Sequence, residues 1–188
     1  MADEVIYKLR AILISVNQVG LVKANEEFFK WLVGDKTMPF GENNRHVPIR
    51  IFDFEDLTQN SYIVTNQFRI HHRETKIPDI VLFINGIPIV VGEAKTPIRP
   101  SVSWLDGAYE IHEVYENTVP QLFVPNILSF ATEGKSLYFG SIRCPLDFWA
   151  PWRLENEDEL PVATLFYDGE TDINHQVVTH MNMINKFQ

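Results

Sequence analysis

The pattern of apolar and polar positions divides the chain into two helical stretches followed by several short strands. From Val5, apolar residues at helical spacing predict a largely buried helix that ends near Gly20. A second stretch predicts a helix that begins with Asn25 as its N-cap and ends at Gly34. β-branched and aromatic residues at 47–54 and again at 62–70 predict two strands.

A hairpin is predicted over 79–95, and it is the clearest local pattern in the sequence. Asn85 and Gly86 separate two β-rich runs, and this dipeptide favours a two-residue type I′ turn. Both runs are apolar without alternation, which is typical of strands in the middle of a sheet that is covered on both faces.

The elements after the hairpin continue the alternation of helices and strands. An irregular turn is expected at 97–100, and apolar residues at helical spacing over 103–117 predict a helix that Pro120 ends. Two further strands are predicted at 127–132 and 136–142. This order predicts an α/β fold with a mixed central sheet flanked by helices.

Charged residues at the ends of the hairpin strands form the strongest candidate site for chemistry. Asp79 opens the first strand, and Glu93 and Lys95, two residues apart, share a face near the end of the second. Mg²⁺ prefers oxygen ligands and is commonly held by one or two carboxylates together with a substrate phosphate. A lysine beside such an ion can orient the attacking water and offset developing charge. The pattern therefore predicts phosphoryl chemistry, with ordinary charged strand ends as the alternative.

A regular hairpin would not bring the two carboxylates together. With a two-residue turn and an unbroken ladder, Asp79 pairs with Gly92, and Glu93 then points to the opposite face. A shared ion therefore requires a local break in the ladder. We expect it near Pro78, which cannot donate a backbone hydrogen bond, or near Gly92, which tolerates bulge conformations.

Composition narrows the class of protein. The chain has 188 residues, a formal net charge of −9 and one cysteine, Cys144. A single cysteine excludes a disulfide framework, and the longest apolar runs are too short to span a membrane. The acidic balance argues against capture of nucleic acid by bulk electrostatics, because such binding depends on Lys and Arg neutralising phosphates. We expect a soluble, cytoplasmic protein with no membrane partner.

Sequence runs around the hairpin carry a resemblance to a known family. Pro78 and Asp79, followed by Gly-Glu-Ala-Lys at 92–95, are similar to the PD-(D/E)xK nuclease motif. In order along the chain, the runs 60–68, 77–91 and 119–123 resemble the N-terminal nuclease domain of the R (restriction) subunit of type I restriction enzymes. The likeness extends over residues 8–153.

This resemblance implies an α/β/α restriction-endonuclease-like core at 1–153, followed at 154–188 by an acidic linker that leads toward a motor domain. It also implies that Asp79 and Glu93 are Mg²⁺ ligands and that Lys95 is the catalytic lysine. The implied reaction is hydrolysis of double-stranded DNA after translocation by an ATP-dependent motor, which these 188 residues do not include. The implied partners are the methylation and specificity subunits.

One family signature is only partly present. Related nucleases carry Gln-x-x-x-Tyr on the helix after the lysine strand; here Tyr115 matches the tyrosine, but Ile111 stands at the glutamine position. Glu110 and His112 are the candidate substitutes for the glutamine. Two alternatives to a restriction nuclease are a catalytically silent docking domain of the same fold and a stand-alone nuclease of repair or recombination.

Overall fold

The computed structural model describes residues 2–96, 98 and 101–153 of the chain. Most of the turn predicted at 97–100 and the whole of the predicted linker at 154–188 lie outside the described residues. The domain boundary at 153 therefore stays a prediction. In the described part of the chain, no helix combines the length and the apolar character needed to cross a membrane.

Two helices open the fold, α1 (Ala2–Val19) and α2 (Leu21–Leu32). The prediction that α1 is largely buried is wrong: only Val16 is buried, and Tyr7 and Ile14 are 75% and 68% exposed. Part of the apolar surface of α1 therefore faces outward.

The predicted start of α2 is also wrong. The helix begins four residues before Asn25, directly after Gly20, whose φ of 84° separates it from α1. Asn25 lies inside the helix, and its amide donates hydrogen bonds of 2.9 Å to the carbonyls of Val124 and Asn126. Asn25 therefore makes a tertiary contact instead of a cap. The predicted end is confirmed, because Gly34 follows α2 with a φ of 79°.

The strand predicted at 47–54 is wrong beyond its first two residues. Strands β1 (Thr37–Met38) and β2 (Val47–Pro48) form a small separate pair. The chain then bends, because the Asp53 carboxylate accepts hydrogen bonds from the backbone N–H groups of Glu55 and Asp56. Such local side-chain bonds compete with a ladder.

The strand predicted at 62–70 is divided in two. Strand β3 (Tyr62–Asn66) joins the main sheet, whereas β4 (Ile70–His71) pairs with β5 (Thr75–Lys76) in a separate hairpin. The division falls at Gln67, which has a φ of 51°.

The central sheet has six strands and is mixed, as predicted. Besides β3, it contains β6 (Ile80–Ile84), β7 (Ile87–Ala94), β8 (Leu128–Thr132), β9 (Leu137–Gly140) and β10 (Ala150–Pro151). Their order is β10-β9-β8-β7-β6-β3, in which only β7 and β8 are parallel. The predicted hairpin β6–β7 lies inside the sheet, and most of β7 is buried.

A helix connects β7 to β8, close to the predicted bounds. It begins as α3 (Trp104–Tyr109), with a capping box between Ser103 and Asp106, continues as a π-helix (Glu110–Tyr115) and ends as α4 (Glu116–Thr118). A short 3₁₀ turn that begins at Pro120 follows. The π segment was not predicted. The architecture agrees with the predicted α/β restriction-endonuclease-like fold.

Candidate active site

The β6–β7 hairpin contains the predicted break, at a different place. Asn85 and Gly86 both have positive φ, 51° and 77°, as a type I′ turn requires. Pairing is regular next to the turn, but Phe83 then pairs with Pro88 and Leu82 with Val90, so Ile89 has no residue opposite it on β6. The expected positions near Pro78 or Gly92 are wrong.

The bulge directly follows Pro88, which pairs with Phe83. Proline has no N–H to donate to a ladder, and inside sheets it occurs at bulges and edges. Gly92 instead leaves room for the Phe130 ring, because a Cβ at this position would lie 2.2 Å from that ring. The sequence signal for the bulge was therefore Pro88, four residues before the expected glycine.

The bulge places the two carboxylates on one face. Beyond it, Ile80 pairs with Gly92, so Asp79 and Glu93 stand opposite each other one step further along. The backbone N–H of Asp79 donates to Glu93 Oε1 (3.1 Å), and the N–H of Ala94 donates to Asp79 Oδ2 (3.0 Å). Both carboxylates are thus fixed by the backbone of the neighbouring strand.

Lys95 joins this pair from the end of β7. Its Nζ donates to Glu93 Oε2 (3.2 Å) and also to Glu110 Oε2. Its backbone N–H donates to the carbonyl of Thr132 (2.7 Å), which extends the pairing with β8 by one residue. The lysine therefore lies between a strand carboxylate and a helix carboxylate.

The π-helix decides which residue near Tyr115 faces the site. In an α-helix, residues three and four apart share a face, whereas the i→i+5 hydrogen bonds of a π-helix widen the turn and bring residues five apart much closer to one face. Glu110 and Tyr115 are five apart, and the Tyr115 hydroxyl donates to Glu110 Oε1 (2.9 Å). Ile111 is buried in the core, and His112 approaches Glu113 and Glu116 instead. Of the two candidate substitutes for the glutamine, the structure places only Glu110 beside Lys95.

Gln67 is a site residue that the sequence analysis missed. Its side-chain amide donates to Asp79 Oδ1 (2.7 Å), and its backbone N–H donates to the carbonyl of Asp79 (2.9 Å). Nothing in the local pattern distinguishes this glutamine from a surface polar residue, because its role arises only when β3 pairs with β6.

Burial and charge set the protonation states around the site. Burial, with the nearby charge of Asp79, raises the pKa of Glu93 to about 7, against the opposing effect of Lys95. Burial alone would lower the pKa of Lys95, but the hydrogen bond with Glu110 and the charge of Glu93 raise it. Burial and the charge of Glu93 raise the pKa of Tyr115. Lys95 is therefore cationic and Tyr115 is a neutral hydrogen-bond donor.

The donor set suits a hard cation that keeps part of its own hydration. Within the described ranges, no cluster of three or more His, Cys, Asp or Glu residues is arranged to hold a metal ion. Two carboxylates are present, and Mg²⁺ is usually bound by one or two of them together with waters and phosphate oxygens. A carboxylate can accept about four hydrogen bonds, so the two described for Asp79 leave acceptor capacity.

Comparison with known proteins identifies the family. Residues 3–147 match the family model described as "Type I restriction enzyme R protein N terminus". The endonuclease subunit of the type I restriction enzyme HindI from Haemophilus influenzae is 32% identical over 80% of this chain and 14% of its own length. The putative type I restriction enzyme MjaIXP endonuclease subunit from Methanocaldococcus jannaschii is 25% identical over 91% of this chain and 17% of its own length. The chain therefore spans only a small part of these relatives, and it belongs to the family of type I restriction enzyme R protein N-terminal domains.

Proposed function

We propose that the chain is a Mg²⁺-dependent endonuclease domain that hydrolyses phosphodiester bonds of double-stranded DNA. The observation that supports this proposal is the meeting of Asp79, Glu93 and Lys95 on one face at the ends of β6 and β7. A bulge at Ile89 creates the meeting, and a regular ladder would abolish it.

The proposed roles follow from chemistry and contacts. Mg²⁺ held by Asp79 and Glu93 would supply Lewis-acid polarisation of a phosphoryl oxygen and a bound water of lowered pKa. Cationic Lys95 orients the attacking water and offsets charge that develops on the phosphate. Glu110 holds the ammonium from the helix side, and Tyr115 fixes Glu110 through its second oxygen.

The wider setting is proposed from the relatives. Their names describe endonuclease subunits of type I restriction enzymes, of which this chain matches 14% and 17% of the length. We propose that cleavage follows ATP-driven translocation by a motor in the remainder of such a subunit. Methylation and specificity subunits would be its partners, and the cytoplasm its location.

Loss of either the metal ligand or the lysine tests the proposal. In the assembled enzyme with Mg²⁺, Asp79→Ala and Lys95→Ala should each abolish DNA cleavage while ATP hydrolysis continues. Glu26→Gln removes an exposed carboxylate on α2 and should cleave as the unchanged enzyme does. Cleavage that survives Asp79→Ala would refute the assignment.

Metal titration separates an enzyme from a silent docking domain of the same fold. Mn²⁺, a spectroscopically visible substitute for Mg²⁺, should bind to the chain, and Asp79→Ala should weaken that binding. Binding that does not depend on Asp79 would favour the docking domain. A nuclease of repair or recombination would instead cleave without the partner subunits.

A further inference from the structure

We propose that the basic hairpin, defined as residues 69–76 with strands β4 and β5, binds the phosphate backbone of duplex DNA beside the catalytic carboxylates. This inference rests on the proposed nuclease function and specifies which surface of the chain its substrate occupies. It concerns residues that the catalytic arrangement does not use.

The basic hairpin is attached directly to the site. Just before it, the backbone N–H of Phe68 donates to the carbonyl of Pro78 (3.1 Å), next to the contacts between Gln67 and Asp79. The Phe68 ring packs edge-on against Phe83 of β6, with centroids 5.3 Å apart. These contacts place the base of the hairpin next to Asp79.

The turn of the basic hairpin is attached as well. Gln121 Nε2, in the 3₁₀ turn after α4, lies 3.2 Å from ring nitrogens of His72. Ile70 packs against the hydrophobic core. The hairpin is therefore supported at both ends, so it can present side chains in a defined position relative to the carboxylates.

The basic hairpin carries cations that are available for phosphate. It contains Arg69, Arg73 and Lys76 against one carboxylate, Glu74, in a chain whose net charge is −9. Lys76 pairs with Glu74 at 2.8 Å. Arg69 and Arg73 are exposed, and within residues 2–96, 98 and 101–153 neither forms an ion pair. Arginine binds phosphate oxygens through two parallel N–H donors.

The helix between β7 and β8 carries the opposite charge. Asp106, Glu110 and Glu113 lie along the helix between β7 and β8, and Glu133 accepts the backbone N–H of Trp104 at the start of that helix. A polyanion is repelled by these carboxylates and attracted to the basic hairpin. The charge distribution therefore favours a duplex that reaches the carboxylates from the hairpin side.

Binding of a short duplex of arbitrary sequence, measured by fluorescence anisotropy in EDTA, tests the inference without cleavage. Arg69→Ala/Arg73→Ala should weaken binding about tenfold or more, and it should reduce the slope of log K against log salt by about 2. Arg69→Lys/Arg73→Lys keeps the charge and should keep most of the slope. Circular dichroism and Mn²⁺ titration check that the fold and metal site are unchanged.

A control variant removes two arginines outside the basic hairpin. Arg45→Ala/Arg50→Ala changes the charge equally; Arg50 pairs with Glu55 and adjoins Ile51, whose carbonyl accepts a hydrogen bond from Asn85 in the β6–β7 turn. This variant should bind DNA as the unchanged chain does. Equal weakening by both double variants, no effect of the hairpin variant, or no DNA binding by the chain would overturn the inference. Because cleavage by the assembled enzyme is tested separately through Asp79, a negative result here leaves the proposed nuclease open to its own test.

Discussion

Gln67 combines an unfavourable backbone conformation with a contact to Asp79, one of the two proposed metal ligands. Its φ of 51° lies in the left-handed region, which costs a non-glycine residue about 1–3 kcal/mol. That conformation turns the chain out of β3 and directs the side-chain amide to Asp79 Oδ1. We interpret the strain as the cost of orienting Asp79.

Replacement of Gln67 should separate stability from metal binding. Gln67→Gly relieves the strain and removes the amide, so the free energy of unfolding should stay within about 1 kcal/mol of the unchanged chain. The affinity for Mn²⁺ should fall about tenfold or more, because an outer-shell hydrogen bond to a ligand is lost. Urea unfolding and Mn²⁺ titration measure the two effects.

Gln67→Asn serves as the control for backbone conformation. Asparagine tolerates positive φ, but its side chain is one methylene shorter and does not reach Asp79. It should lose metal affinity as the glycine variant does. Unchanged affinity in both variants would show that Asp79 is oriented without Gln67.

The residues that the structure brings together at the ends of β6 and β7 could be selected from the sequence because their chemistry is unusual where they stand. Asp79, Glu93 and Lys95 attracted attention because charged groups at the ends of buried strands are costly unless they are paired. Asn25 and Gln67 are polar residues in unremarkable surroundings along the chain. Their roles depend on partners from distant elements, so no local pattern could indicate them.

At the scale of elements, the π-helix brings a polar side chain to Lys95 although the position four residues before Tyr115 has no polar residue. The segment Glu110–Tyr115 lets a carboxylate five residues before the tyrosine face Lys95, although the residue four before it is buried Ile111. Helical periodicity over 103–117 predicted the helix well, but a single π segment barely alters the apolar spacing. A break in the hairpin was predicted only because a regular ladder would place Asp79 and Glu93 on opposite faces, and its position at Ile89 was not predicted.

Two single-residue deletions should have unequal effects. Deletion of exposed Glu113 allows the π segment to become an α-helix in which Glu110 and Tyr115 are four apart and still share a face. Deletion of exposed Tyr109 moves Glu110 by one position and, at 3.6 residues per turn, rotates it away from Lys95. DNA cleavage by the assembled enzyme should survive the first deletion and fall about a hundredfold in the second.

Circular dichroism and urea unfolding accompany both deletions, so that a loss of fold is distinguished from a misplaced lysine. Equal cleavage by the two variants would mean that the position of Glu110 does not matter. The role proposed for the π segment would then be wrong.

At the scale of the whole molecule, the buried carboxylate of Glu116 connects the helix between β7 and β8 to the loop after β9. Both oxygens of Glu116 accept the backbone N–H of Arg143 (3.3 and 3.0 Å), and Arg143 Nε lies 3.4 Å from Oε2. Burial raises the pKa of Glu116 to about 7, although Arg143 opposes the shift. The folded chain therefore binds this proton more tightly than the unfolded chain.

Stability should therefore depend on pH through Glu116. Because its pKa is raised on folding, the associated stabilisation is complete below the unfolded value of 4.5 and is lost as pH rises through about 7. A shift of this size corresponds to about 3 kcal/mol. In EDTA, Glu116→Gln should reduce the decline in unfolding free energy between about pH 5 and about pH 8 by up to that amount.

Glu113→Gln removes an exposed neighbour on the same helix whose charge makes only the smallest contribution to the raised pKa of Glu116, so it should retain most of the pH dependence of the unchanged chain. Urea unfolding at both pH values measures it, and Glu93 contributes equally in all three proteins. If the unchanged chain and Glu116→Gln show the same decline, Glu116 is ionised in the fold throughout this range.

The unopposed residue, Ile89, is reflected in the number of positions that separate Asp79 from Glu93 along the chain. A two-residue turn with a regular ladder pairs residues an odd number of positions apart, as with Ile84 and Ile87, yet Asp79 and Glu93 are separated by 14. An even separation needs an odd number of extra residues in one strand. Loss of the unopposed residue would restore a regular ladder in which the two acids, then an odd number of positions apart, still stand opposite each other. The parity of that interval, read from a relative with the same turn, therefore indicates whether its hairpin must contain a bulge for the two carboxylates to share a cation.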